Sequence, residues 1–487
     1  MPQRRRIPPS LRALLVLVVV VAVVGVGLVA RDWWQDRDDC GDAEGGVKRS
    51  QGECVGVTDG SARPFDTALK GIQEKIFAEN RHVDSMKGVR KATIAYLAPM
   101  TVTAKDPVTT AEVRHELEGA YIAQLLLNER SSDTADVPAE PQIKILLANS
   151  GGESRQWQHT VAEIARRDNI VAVAGLGPST EGSRAAMARL AELQIPMVGS
   201  IITATDILGA DKRPLDARDG LFRIAPTNAD EVDAVLKAVP PKGKPFLIQD
   251  NNRRDIYAQD LAHRFRAARI PNVQTESYIT DQEGRPAGGN PFLWMRAQIC
   301  GGQDTWLFFA GRGKQLQAML EVFADNPCAG QNITIVSGDD ALNIDWTNQK
   351  VKTALSQRIT LRYAGLAHPQ QWLKLPQFGE PFTRFRTKHE QHQFKPDDLV
   401  DGTSMMAHDA VLTAASAIRN ASSNVSKEGV LGMLLQLHGR NHVQGASGRI
   451  DLDTTTGKVT NKAIPILQIT PRGVRVDTVA FPTGKPT

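Results

Sequence analysis

Residues 171–206 read VAVAGLGPSTEGSRAAMARLAELQIPMVGSIITATD, and residues 221–231 follow as LFRIAPTNADE. The first run is an apolar strand, a turn of small residues, a helix, and a second apolar strand that ends in hydroxyls. In a parallel β-α-β unit the strand ends and helix starts share one edge of the sheet. Open α/β sheets receive their ligands at that edge. Here it carries Ser179, Thr180, Ser200 and Thr203, with free amides at the start of the helix near Gly182. Hydroxyls and helix-start amides suit a carboxylate or another small anion. None of these groups is a general base or a metal ligand, so the stretch reads as a binding site rather than a reaction centre.

The same strand-helix rhythm extends in both directions. Upstream lie the strand ATIAYLAPM from Ala92, a helix over Leu117–Asn128, the strand IKILLANSGG from Ile143, and a helix over Gln156–Asp168. Beyond Pro240-Pro241 the pattern restarts with PFLIQD, a helix over Tyr257–Ala268, VQTESYIT, TWLFFAG, a helix over Lys314–Asn326, and ITIVSGDDAL. Such alternation argues for parallel sheets with right-handed crossovers. Later helices at Met405–Asn420 and Lys427–Leu437, and closing strands around SGRIDLD and AIPILQIT, imply that the chain crosses between two lobes more than once.

The N-terminus sets the expected compartment. Arg4, Arg5, Arg6 and Arg12 precede the apolar run Leu14–Ala30, and Trp33-Trp34 follow it. From Leu11 the run is about 20 residues, enough to cross a bilayer. Basic residues before the span place the N-terminus inside and the bulk outside. The expectation is a single-pass signal anchor in the cell membrane, and a cleaved signal peptide is the alternative. Four cysteines, Cys40, Cys54, Cys300 and Cys328, fit an exported chain. Three connectivities are open, and the local pairs Cys40–Cys54 and Cys300–Cys328 are favoured. The 58 basic and 54 acidic residues leave a net charge of +4, too small an excess to argue for nucleic acid.

The ordered series GLGPSTEG, IPMVGS, FRIAPTNADE, Asp250…Tyr257…Phe265, HDAVLTAASAI and GRIDLD resembles one family, the type I periplasmic solute-binding proteins of the leucine/isoleucine/valine-binding kind. The resemblance covers about residues 90–472. It implies two Rossmann-like α/β lobes with parallel sheets joined by three crossovers, closing on a ligand between them. It also implies that Ser179 or Thr180 on the Gly-Pro turn, together with Thr203, holds a ligand's carboxylate. Tyr257 then covers the ligand from the second lobe, and Asp339 or Asp340 meets its ammonium. Glu181 stands where the family often has serine, and Arg312 stands near a place where the family has an aromatic. Arg312 otherwise reads as a surface residue.

The domain reading that results is a cytoplasmic tail over 1–10, a transmembrane anchor over 11–30 and a juxtamembrane stalk or mini-module over 31–88. One lobe takes 89–235 and 366–443, the other takes 236–365 and 444–475, and 476–487 is a tail. Enzyme signals are weak. GLGPST lacks the third glycine of a dinucleotide loop, AGRGKQ fails the phosphate-loop spacing, and HEQH at 389–392 lacks zincin spacing and reads as a solvated polar helix. No catalytic residue, metal or cofactor is expected. The expected partners are a small amino-acid-like ligand and the permease of an ATP-binding-cassette (ABC) transporter. The alternative is a membrane-anchored sensor or scaffold on the same fold.

Overall fold

A computed structural model describes residues 40, 46–129, 140–281, 285–287, 289–421 and 425–486. The anchor expected at 11–30 lies outside the described residues. No helix among those described is long and apolar enough to cross a membrane.

Two seven-stranded sheets organise the chain. The first contains β1 (Val47–Ser50), β2 (Glu53–Thr58), β3 (Lys91–Ala98), β4 (Gln142–Asn149), β5 (Ile170–Gly175), β6 (Met197–Gly199) and β7 (Leu221–Arg223), in the order β1-β2-β4-β3-β5-β6-β7. The second contains β8 (Lys244–Asp250), β9 (Gln274–Tyr278), β10 (Thr305–Ala310), β11 (Ile333–Ser337) and β12 (Ile359–Ala364). A small hairpin of β13 (Val443–Gly445) and β14 (Gly448–Ile450) intervenes before β15 (Ile464–Thr470) and β16 (Gly473–Ala480) complete the second sheet. Its order is β16-β15-β12-β11-β10-β8-β9. Each sheet buries apolar side chains on both faces beneath helices, which is why its central strands are near-continuous apolar runs.

Both sheets are mixed rather than purely parallel. β3 to β7 and β8 to β12 run parallel, but β1 and β2 pair antiparallel with each other and β2 pairs antiparallel with β4. β15 and β16 add an antiparallel pair beside β12. The reason is local. Gln51 and Gly52 both take positive φ, at 50° and 86°, which is the geometry of a two-residue hairpin turn. Strands joined so tightly can only be antiparallel.

These pairings change the expected boundaries. The segment read as part of a stalk supplies the edge strands of the first sheet, and the helix Lys70–Ser85 buries Ile72, Ile76 and Val83 against it. The helix Asn228–Ala238, expected in the first lobe as far as Val235, packs Val232 and Val235 among Leu247, Leu261 and Ile464 of the second. Ile450, Leu452 and Val459, expected in the second lobe, join the first lobe's core. The expected C-terminal tail begins inside β16. The chain thus crosses between lobes after β7, after β12 and before β15. Both local disulfides, Cys40–Cys54 and Cys300–Cys328, are present.

The helices Thr110–Asn128 and Thr403–Asn420 pack closely against each other. They meet where Gly119 faces Ser404: a Cβ on Gly119 would lie 1.9 Å from the Ser404 carbonyl oxygen. Backbone cannot yield there as a flexible side chain would. Gly119→Ala is expected to force the helices apart and to lower unfolding stability by about 1–3 kcal/mol. Chemical denaturation of the purified variant checks this, and an unchanged midpoint would contradict it.

Candidate ligand-binding cleft

The C-terminal ends of the central strands of both sheets, and the helix starts that follow them, face each other across the inter-lobe cleft. Threonine caps set these starts. Thr109 and Glu112 form a reciprocal capping box at Thr110–Asn128, and Thr180 and Ser183 form one at Glu181–Glu192. From the second lobe, Asp255 caps the helix Ile256–Ala267 by accepting from Ala258 N at 3.1 Å. Arg312 stands at the start of the helix Gly313–Asp325.

Ser179, Thr203, Tyr257, Arg312, Asp339 and Asp340 line one narrow cavity of about 20 Å³. The structure therefore brings together six of the eight binding residues expected from sequence. Thr180 faces outward into a neighbouring chamber, and its hydroxyl is committed to the helix cap. Ser200 lies deeper, with its hydroxyl donating to the Gly175 carbonyl at 3.2 Å, and it does not line the cavity. Ser179 Oγ accepts from the amides of Thr203 and Ala204, at 3.2 and 3.1 Å.

Arg312 is a buried residue, not a surface one, with a relative exposure of 6%. Its guanidinium makes two parallel bonds to Asp255, at 2.7 and 2.8 Å, one to Asp340 at 2.9 Å, and one to the Ser179 carbonyl of the other lobe at 3.2 Å. It lies over the face of Tyr257, 4.4 Å from the ring centroid. Burial opposes its charge, but Asp255 and Asp340 outweigh burial and raise its pKa. Asp340 also accepts from Gly313 N at 2.6 Å. Burial nevertheless pushes the Asp340 carboxyl up against the pull of Arg312.

Two further acids crowd Asp339: Glu112, which also lines the cavity, and Glu231, which is buried behind it. Glu231 accepts from Asp339 N at 3.1 Å through one oxygen, and its other oxygen has no partner among the described residues. Burial and then a neighbouring carboxylate raise both Glu231 and Asp339. Glu112 is pushed up to about 8, first by burial and then by the charges of Asp401 and Asp340. Sequence reading missed Glu112, Glu231 and Asp255. The pattern TTAE at 109–112 is a capping box and was the available signal for Glu112. Nothing in the sequence pairs Asp255 with Arg312, 57 residues away. His389, expected on a solvated helix, is buried with a ring nitrogen 3.7 Å from Glu118. No group of three potential metal ligands occurs among the described residues.

Outside Arg312 the cleft widens into a chamber of about 550 Å³. Its walls are the 104–107, 153–158 and 180–185 segments of the first lobe and the 250–255, 280–281 and 312–315 segments of the second. The lobes touch directly around it. Tyr257 N donates to the Ser179 carbonyl at 3.2 Å, Glu181 N to the Arg254 carbonyl at 3.2 Å, and Lys314 Nζ to the Asp106 carbonyl at 2.6 Å. The cleft is thus closed.

The raised acids have a pH consequence. Between the ordinary value of 4.5 and about 8, folded Glu112 keeps a proton that the unfolded chain has lost. Stability therefore falls as pH rises through that window. Glu116, raised to about 7 by burial, acts in its lower part. The thermal midpoint is expected to decline from pH 5 to pH 8, and Glu112→Gln should flatten part of that slope. An identical slope in the variant would contradict the assignment.

No known family's sequence profile matches the chain, and no curated protein matches it in sequence. Solved structures do match it in shape. The branched-chain amino-acid transporter substrate-binding protein LivJ of Streptococcus pneumoniae, in complex with isoleucine, superposes with a TM-score of 0.58 at 14% identity, over 80% of this chain and 100% of that one. A solute-binding protein of an ABC transporter from Rhodopseudomonas palustris HaA2, in complex with p-hydroxybenzoic acid, gives 0.60 at 13% identity, over 81% and 98%. A branched-chain amino-acid ABC transporter protein from Thermus thermophilus with bound valine gives 0.56 at 14% identity, over 80% and 96%. Two α/β lobes, three crossovers and a shared cleft at the strand ends give this chain the fold of the type I periplasmic solute-binding proteins.

Proposed function

We propose that this chain is an extracytoplasmic solute-binding protein, anchored by its N-terminal segment, whose lobes close on a small polar ligand for delivery to an ABC-type permease. The observation that carries the reading is the convergence of side chains from both lobes on one cleft at the C-terminal strand ends. A group bound between two hinged bodies stabilises only the closed arrangement, because half of its contacts come from each body. The neighbours in shape support this reading: their cocrystallised ligands are isoleucine, valine and p-hydroxybenzoic acid.

The test is a thermal-shift screen of the full-length chain against amino acids, carboxylates, amides and polyols. A ligand at a hundredfold excess over its Kd should add about 2.7 kcal/mol of stability. A screen in which no compound raises the midpoint would count against solute binding.

Closure itself has a separate readout. Lys314 Nζ spans the lobes to the Asp106 carbonyl, at the rim of the chamber. Lys314→Ala is expected to shift the ligand-free chain toward open forms, seen as a larger radius of gyration by X-ray scattering. Saturating ligand should restore the smaller value. Equal radii for variant and wild type would show that this bond does not hold the lobes together.

A further inference from the structure

Two cavities lie end to end in the cleft, and Arg312 is the residue common to both among the described linings. The inner one, at about 20 Å³, holds roughly one water. The outer one, at about 550 Å³, lies within the range of small-molecule sites. Arg312 is the partition between them.

That partition has four of its five donors engaged. A guanidinium has five N–H donors. Here two go to Asp255, one to Asp340 and one to the Ser179 carbonyl, while Tyr257 stacks on the plane. A carboxylate that could receive a ligand's ammonium in the inner cavity, Asp340, is already paired with a cation of the chain itself. The other two acids that line the inner cavity are also engaged: Asp339 accepts from Thr203 Oγ1 at 3.5 Å, and Glu112 accepts from Thr109 N at 2.6 Å in its helix cap.

The outer chamber differs in which of its charged groups lack a partner. Each of its acids is engaged within the chain. Asp106 accepts from Thr103, Glu153 pairs with Arg155 and Glu181 with Arg184. Asp250 accepts from Thr280 and Asn252, Asp255 holds Arg312, and Asp281 accepts from Arg285 N. Two cations on its walls, Lys105 from the first lobe and Arg254 from the second, have exposed side chains with no hydrogen bond or ion pair among the described residues. Half-buried Trp157 and the small Ala185 give the same chamber an apolar wall. The charged side chains left without a partner there are thus cations, and they come from both lobes.

We propose that Arg312 is a tethered cation occupying the deep end of the cleft, and that the ligand is an organic carboxylate without an ammonium group, held in the outer chamber between Lys105 and Arg254 with its apolar body against Trp157. This rests on the solute-binding reading and narrows it. An α-amino acid would bring an ammonium that finds its counter-charge already taken. A carboxylate without one needs only the two free cations, and because they come from different lobes it also draws the cleft closed.

The experiment is calorimetric titration of the full-length chain with benzoate, 4-hydroxybenzoate and adipate, and in parallel with isoleucine and glutamate. At least one of the three carboxylates should bind, and neither amino acid should. The double variant Lys105→Ala/Arg254→Ala should weaken that binding at least tenfold without moving the thermal midpoint of the free protein. Arg312→Ala should join the two cavities, so that millimolar methylguanidinium raises its thermal midpoint while leaving wild type unchanged. Where Arg312→Ala does not fold, the wild-type and double-variant titrations decide. Binding of an amino acid to wild type, or carboxylate binding insensitive to the double variant, overturns the proposal but leaves solute binding standing. So does a folded Arg312→Ala that ignores methylguanidinium. Absence of binding by every compound in this panel and in the wider thermal-shift screen overturns the solute-binding reading itself.

Discussion

A guanidinium taken out of water must recover nearly all of its hydration from fixed partners, at a desolvation cost of several kcal/mol. Arg312 meets that demand with atoms from three places: the Asp255 cap, the turn that carries Asp340, and the Ser179 carbonyl across the cleft. Each partner is thereby tied to the others. Asp255 cannot leave its helix start without freeing a buried charge, and the lobes cannot part without costing the guanidinium one of its acceptors. Arg312 thus adds to the bonds of Tyr257, Glu181 and Lys314 that join the lobes, and it fixes the face of Tyr257 beneath it.

The other acids of the cleft obey a different rule. Arg312 has enough charge for Asp255 and part of Asp340, and among the described residues no second cation reaches Glu231 or Asp339. Burial therefore drives those carboxyls toward the protonated form, as it does Glu112. A protonated acid keeps its acceptor and gains a donor, so a crowded acidic cleft can pack without mutual repulsion. The cleft is built from residues that look strongly negative in the sequence but carry far less charge once folded.

What the sequence reveals depends on how local the cause is. The strands of the opening stretch and the turn bearing Ser179 are local apolar patterns, and they lie where the pattern puts them. The β1–β2 hairpin had an equally local signal in Gln51-Gly52 but sat in a polar, glycine-containing region that resembles a stalk. The helix Asn228–Ala238 shows a clear amphipathic face, yet nothing in that face tells which of two sheets it will cover. Arg312 is the extreme case. Its burial depends on Asp255, on Asp340 and on a carbonyl 133 residues away, none of which marks it in the chain. The outer chamber was illegible for the same reason, since six separate segments wall it and none is distinctive alone.

The Cys40–Cys54 disulfide has a mechanical meaning. It fastens the beginning of the described chain to β2, a strand hydrogen-bonded into the first sheet. Any pull or torque on the N-terminal segment therefore enters the first lobe through a covalent clamp and is spread along a β-ladder. It bypasses the three crossovers between the lobes. The first lobe takes such a load directly, and the second receives it only through the crossovers and the contacts across the cleft.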